Sequence, residues 1–150
     1  KIKKTMKLFS GIKHRLQFVK NIGGSSYFND SKATNISSVI AAINSFNSPI
    51  ILLLGGKNKD SDFRLLLPHT KRHVKHIVSF GEAGGEIATA IGDAVRLDIT
   101  SSLNQAVASA HKIASPGDII LMSPGCASFD EFKNFEDRGE KFIKMVNELK

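Results

Sequence analysis

Residues 50–54 of this chain read IILLL and stop at Gly55-Gly56. A strand with one wet face alternates apolar and polar residues, whereas an unbroken apolar run of strand length is buried on both faces. Three further segments, residues 76–80, 94–99 and 119–122, also read as strands. Between them apolar residues recur at helical spacing. Ile36, Val39, Ile40, Ile43 and Phe46 form one stripe; Phe63, Leu66 and Leu67 open a second; residues 87–91 give a short third. Leu103, Val107, Ala110 and Ile113 form a fourth, and the last helix carries Phe132, Phe135, Phe142, Val146 and Leu149. Buried strands alternating with helices predict a mostly parallel sheet with helices on both faces, a three-layer, Rossmann-like α/β fold. Near the start, residues 16–22 and 25–29 flank Gly23-Gly24 and read as an antiparallel β-hairpin at the sheet edge. No linker or low-complexity segment interrupts the series, so residues 1–150 are expected to form a single domain.

The run at residues 50–54 is the longest apolar stretch and is far too short to cross a bilayer, so no membrane association is expected. One cysteine, Cys126, cannot form an internal disulfide, and a cytoplasmic location is expected. The formal net charge of +7 favours anionic partners. The lysines are spread out, however, and are densest at Lys1, Lys3, Lys4 and Lys7. With one Tyr, no Trp and no nucleic-acid-binding motif, nucleic acid is not an expected partner. Ile2, Met6 and Phe9 lie on one helical face with no N-cap before them, which suggests a segment, residues 1–13, leading out of a preceding domain.

Ligands of open α/β sheets bind beyond the carboxyl ends of the strands. That rule selects residues 29–35, 55–62, 81–85 and 123–128. The first loop, NDSKATN, combines a carboxylate, two hydroxyls and an ammonium. Capping of the following helix accounts for one or two of the polar residues. It does not account for Lys32, whose charge opposes the positive end of a helix unless an anion sits beside it. In the second loop, GGKNKDSDF, Lys57 and Lys59 add charge and Asp60 or Asp62 can cap a helix; no Walker A motif occurs anywhere in the chain. GEAGGE at residues 81–86 lacks the dinucleotide-binding spacing and reads as a turn. In the fourth loop, Ser128 and Glu131 form an S-x-x-E capping box at the head of the last helix. Cys126 reads as a small buried residue. His69, His73 and His76 are not a metal set, because His76 opens a strand and no carboxylate accompanies them.

Four segments together, HRLQFV (14–19), YFNDSKATN (27–35), LLLGGKNKDSDF (52–63) and SPGCASFDEFKNFEDRG (123–139), carry a resemblance that covers almost the whole chain. They are similar, in order and spacing, to the C-terminal domain of the muramyl ligase family, in its D-glutamate-adding branch. The resemblance implies a three-domain, ATP-dependent ligase that joins D-glutamate to UDP-N-acetylmuramoyl-L-alanine through an acyl phosphate in peptidoglycan precursor synthesis. It implies that N-terminal and central domains of the same polypeptide hold the UDP end, ATP and Mg2+, and that the C-terminal domain alone is inactive. It further implies that Thr34, Lys59 and Ser128, with the backbone at Phe135, hold the D-glutamate carboxylates. Lys32 resembles a catalytic residue near the reacting phosphate, Asp30 a nucleotide-contacting acid, and Arg15 an arginine that reaches the ATP phosphates. Gly125 stands where alanine is common, and Lys57 varies in the family. A monomer is expected. The alternatives are a sister muramyl ligase using another amino acid and a stand-alone basic module for nucleotide or nucleic acid.

Overall fold

The computed structural model describes residues 12–150. The helix expected from Ile2, Met6 and Phe9 lies outside the described residues. The described chain forms a six-stranded sheet in the order β1-β2-β6-β3-β4-β5. Its strands are β1 (Gln17–Ile22), β2 (Ser25–Asn29), β3 (Ile50–Gly55), β4 (Val74–Phe80), β5 (Arg96–Ile99) and β6 (Ile119–Gly125). The hairpin partners β1 and β2 are antiparallel, and every other pairing is parallel. The expected mostly parallel α/β sheet with an antiparallel edge hairpin is the observed one.

The helices are α1 (Ile36–Ile43), α2 (Leu67–His73), α3 (Gly84–Ile91), α4 (Leu103–Ile113) and α5 (Phe135–Asn147). Strand β3 shows why its sequence is solidly apolar. Successive side chains of a strand point to opposite faces, and both faces here are covered. Ile50, Leu52 and Leu54 pack with Phe28, Leu121 and the inner faces of α1, α2 and α3. Ile51 and Leu53 pack with Tyr27, Met122, Leu103, Val107, Phe142 and Val146 on the α4 and α5 side. Polar side chains close the helix starts: Asn35 accepts from Ser38 N, Ser102 from Gln105 N and Asn134 from Asp137 N.

Several boundaries differ from the sequence reading. The pattern beginning at Phe63 is a 3-10 turn (Phe63–Leu66), capped by Asp62, before α2 begins. Strand β4 opens at Val74, not His76, and β5 is shorter than expected. Strand β6 continues to Gly125, beyond the Met122 at which its apolar run ends. The last helix starts at Phe135, so Phe132 and Leu149 flank it while still packing on the second core. The S-x-x-E box at Ser128 is not its cap. The Ser128 carbonyl instead accepts from Glu131 N at 3.1 Å and Phe132 N at 2.8 Å, closing a turn. The Glu131 carboxylate accepts from Leu103 N at 3.3 and 3.2 Å, so it serves the head of α4.

Candidate functional site

Strands β3 and β6 are neighbours, but the chain leaves them in opposite directions, β3 toward β4 and β6 toward α5. Such a switch point opens a crevice at the carboxyl edge of the sheet. Here the flanking loops are tied together. Lys57 N donates to Ala127 O at 2.9 Å and Ala127 N to Lys57 O at 3.0 Å. Gly125 N donates to Ala33 O at 2.8 Å, joining the β6 loop to the β2 loop. Gly56 permits this approach: its φ is 127°, and a side chain there would run into the Ala127 carbonyl.

The β2–α1 loop borders a cleft of about 250 Å³, lined by Arg15, Asp30, Lys32 and Ser38 among others. Asp30 is buried and held at both carboxylate oxygens. Leu16 N donates to Oδ1 at 3.0 Å and Ser123 Oγ to Oδ2 at 2.7 Å. Burial pushes its carboxyl up to about 6, against the pull of the Ser123 and Leu16 hydrogen bonds and the nearby Arg15 charge. Arg15 is exposed between His14 (φ 65°) and Leu16 (φ 43°), two left-handed non-glycine residues. Such backbone is unfavourable and needs its surroundings to hold it. The His14 ring is buried against Phe135 and bonds Asn29 through Nδ1 at 2.9 Å. Burial lowers its pKa despite the neighbouring Glu140.

Arg15, Asp30 and Lys32 therefore share one cleft, which does not include Thr34, Lys59, Ser128 or Phe135. Those four stand on the adjoining loops. Thr34 is exposed directly before the α1 cap, and Ser128 is buried on the β6 loop. Lys59 is exposed, with Nζ 5.4 Å from the centre of the Phe129 ring. Phe135 is the first residue of α5, where a helix leaves N–H groups without intrahelical acceptors. Its carbonyl accepts from Ser31 Oγ at 2.7 Å.

Sequence reasoning missed Ser31, Ser123 and above all Arg138. Arg138 has no exposed surface. Its Nε donates to Ser31 Oγ at 2.9 Å, Nη2 to Ser31 O at 2.8 Å and Nη1 to Cys126 O at 3.0 Å. It thus fastens the β2 loop, the β6 loop and the start of α5 to one another. The available signal was its place in the first turns of a helix, disfavoured for a cation on the same grounds as Lys32. Cys126 is buried as expected, and burial raises its thiol to about 12, away from nucleophile chemistry. Among the described residues no three His, Cys, Asp or Glu side chains gather to hold a metal ion. His76 does have a carboxylate, contrary to the sequence reading: its Nε2 lies 2.9 Å from Asp98 Oδ2 on the adjacent strand.

The chain is thus an α/β domain of the doubly wound class, with acidic, basic and hydroxyl groups gathered at the switch point of its sheet. The family model "Mur ligase, glutamate ligase domain" matches residues 14–126, and the chain belongs to that family. It is 48% identical to a UDP-N-acetylmuramoylalanine–D-glutamate ligase from Syntrophus aciditrophicus, over 92% of this chain and 30% of the relative. It is 43% identical to the enzyme of the same name from Lacticaseibacillus paracasei, over 99% of this chain and 33% of the relative. The chain thus spans about a third of the length of these curated relatives. Solved structures share the fold. A bifunctional folylpolyglutamate synthase/dihydrofolate synthase from Yersinia pestis matches with TM-score 0.65 at 16% identity, covering 92% of this chain and 32% of that one. A murein peptide ligase from Psychrobacter arcticus matches with TM-score 0.62 at 12% identity, covering 95% and 32%. A bifunctional folylpolyglutamate synthase/dihydrofolate synthase solved with Mn, AMPPNP and L-glutamate bound matches with TM-score 0.63 at 15% identity, covering 92% of this chain and 32% of that one. No described helix is long and apolar enough to cross a membrane.

Proposed function

We propose that this chain is the amino-acid-binding domain of a three-domain, ATP-dependent ligase that joins D-glutamate to UDP-N-acetylmuramoyl-L-alanine. The observation that carries this reading is the β2–α1 loop: Asp30, Lys32 and Arg15 share a cleft at the switch point, and Thr34 follows on the same loop. In this reading residues 1–150 are one domain, with residues 1–13 leading from a central domain that holds Mg2+ and most of ATP. The magnesium ligands belong to that domain. The ligase works as a cytoplasmic monomer, and this domain alone does not turn over.

A dicarboxylate amino acid requires hydroxyl and ammonium donors, and phosphates require Arg and Lys. Thr34, Lys59, Ser128 and the Phe135 N–H take the two glutamate carboxylates. Asp30 faces the nucleotide, and Arg15 reaches its phosphates. ATP transfers its γ-phosphoryl group to the carboxylate of UDP-N-acetylmuramoyl-L-alanine. The glutamate amine attacks that acyl phosphate, loses a proton, and the tetrahedral intermediate expels phosphate to leave the amide. Lys32 stabilises charge at the phosphoryl oxygens during both steps. Closure of this domain orients the amine and keeps water from the acyl phosphate.

The test is steady-state kinetics of the full-length ligase carrying Thr34→Val. The KM for D-glutamate should rise about tenfold or more while the KM for ATP holds, the cost of one lost charge-assisted hydrogen bond. An unchanged KM for D-glutamate overturns the assignment, and ligation by residues 1–150 alone overturns the three-domain reading.

A further inference from the structure

Phe129 has no packing explanation: it is 59% exposed, on a loop whose neighbours Ala127 and Ser128 are buried. Its ring does have one specific contact, the Lys59 ammonium 5.4 Å from the ring centre. A cation over an aromatic face is attracted by the ring's quadrupole, more strongly as water is excluded. Among the described residues Lys59 makes no ion pair.

The backbone beneath both residues is fixed. Asn58 Oδ1 accepts from Ser61 N at 2.9 Å, while Asn58 Nδ2 donates to Ser61 O at 3.2 Å and to Glu86 Oε2 at 2.8 Å. Asp60, directly after Lys59, turns the chain at φ 62°. On the other side, the Ser128 carbonyl closes the turn that carries Phe129. The paired backbones of Lys57 and Ala127 hold these two turns together. This framework fixes the Lys59 Cα but leaves a flexible four-carbon stem, with its ammonium free to sweep through solvent.

We propose that Phe129 is the positioning residue for Lys59, holding its ammonium at the mouth of the crevice where a substrate carboxylate arrives. This rests on the assignment of Lys59 to D-glutamate. The ring does not compete for that carboxylate, as an acidic partner would, so the charge is localised without being neutralised. Ser128 and Phe129 then divide the labour of one turn: the serine meets the ligand and the phenylalanine orders the second donor. An ammonium already ordered loses less freedom on binding.

The experiment is a kinetic series on the full-length ligase with Phe129→Leu, Phe129→Tyr, Lys59→Met and the Phe129→Leu/Lys59→Met double variant, each checked for an unchanged thermal midpoint. Phe129→Leu should raise the KM for D-glutamate about three- to tenfold, the range of an exposed to partly desolvated cation–π contact. The kcat and the KM for ATP should hold, Phe129→Tyr should restore the KM, and the leucine should add nothing once Lys59 is methionine. If Lys59→Met raises the KM for D-glutamate and Phe129→Leu does not, the positioning role is overturned while the glutamate assignment stands. If Lys59→Met leaves that KM unchanged, the assignment itself falls. A Phe129→Leu enzyme with lowered kcat and raised KM for ATP, or a tyrosine that fails to restore, assigns the ring to another task and overturns the proposal.

Discussion

Arg138 Nη2 lies 2.8 Å from the carbonyl oxygen of Ser31, its fully buried guanidinium held without a carboxylate within ion-pair distance among the described residues. Backbone carbonyls and one hydroxyl do the work of a counter-ion. Burial lowers its pKa to about 10, with Asp130 and Glu131 pulling the other way, so the side chain remains a cation at neutral pH. The charge lies under the crevice floor, between the β2 and β6 loops.

Replacing Arg138 with Met removes the charge and leaves the Ser31 and Cys126 carbonyls without their donor. Each buried, unsatisfied group costs about 1–3 kcal/mol, so the variant should lose about 3–5 kcal/mol in urea unfolding. Arg138→Lys keeps the charge but cannot span three acceptors, and should fall between. A methionine variant as stable as the parent shows that the loops hold without the clamp.

The buried Asp30 carboxyl gives a stability that depends on pH. Its value in the fold is about 6 against an ordinary 3.8, so folding favours the protonated form. That contribution is complete below about pH 4 and is lost as pH rises through about 6; above this the buried charge is a net cost. Asp30→Asn keeps both contacts, accepting from Leu16 N and donating to the Ser123 hydroxyl. It should therefore be more stable than the parent at pH 8 by on the order of 1–3 kcal/mol, with the difference closing toward pH 4. Thermal unfolding across that range checks it. A gain that is the same at pH 4 and pH 8 removes the titration of Asp30 from the explanation.

Gly139 sits inside α5, where Ala would ordinarily stabilise a helix by about 1 kcal/mol. Here an added Cβ would overlap the His14 ring. Gly139→Ala should instead destabilise, by about 1–3 kcal/mol as for an overpacked core. Combining it with His14→Ala should recover part of that loss, a coupling that a double-mutant cycle measures directly. A stabilised single variant means that the His14 ring is not seated against α5.

The sequence was most legible where one physical rule governs a segment. The run at residues 50–54 read as a strand covered on both sides, and β3 lies inside the sheet between β6 and β4. It was least legible where a partner comes from far along the chain. Ser123, Pro124 and Gly125 read as part of a strand-to-helix loop, yet all are buried in β6. The Ser123 hydroxyl is spent on Asp30, 93 residues away. Glu131 matched a local capping box, but its acceptor sites are taken by Leu103 N, 28 residues distant. His76 and Asp98 meet across adjacent strands that no spacing rule joins. The candidate site divides the same way. Lys32 stood out because its charge conflicts with local helix electrostatics, whereas Arg138, under a similar conflict, gained meaning only when its three oxygen acceptors came together.

Lys32 distinguishes a folding role from a chemical one. Its backbone is anchored, since Lys32 N donates to His14 O at 2.9 Å. Its side chain is exposed and makes no ion pair among the described residues. An exposed side chain of this kind changes stability by about 0.5 kcal/mol or less when truncated. The proposed role places its ammonium at the phosphoryl oxygens, where losing one preorganised donor typically costs about 10²–10³ in rate. Lys32→Ala should therefore unfold at nearly the parent temperature while the full-length ligase loses at least about a hundredfold in kcat. Lys32→Arg, which retains the charge in a different shape, should recover part of that rate. The two readouts must separate for the assignment to hold. Loss of folding together with activity would make Lys32 a structural residue, and a fully active alanine variant would return NDSKATN to the role of a capped turn at the start of α1.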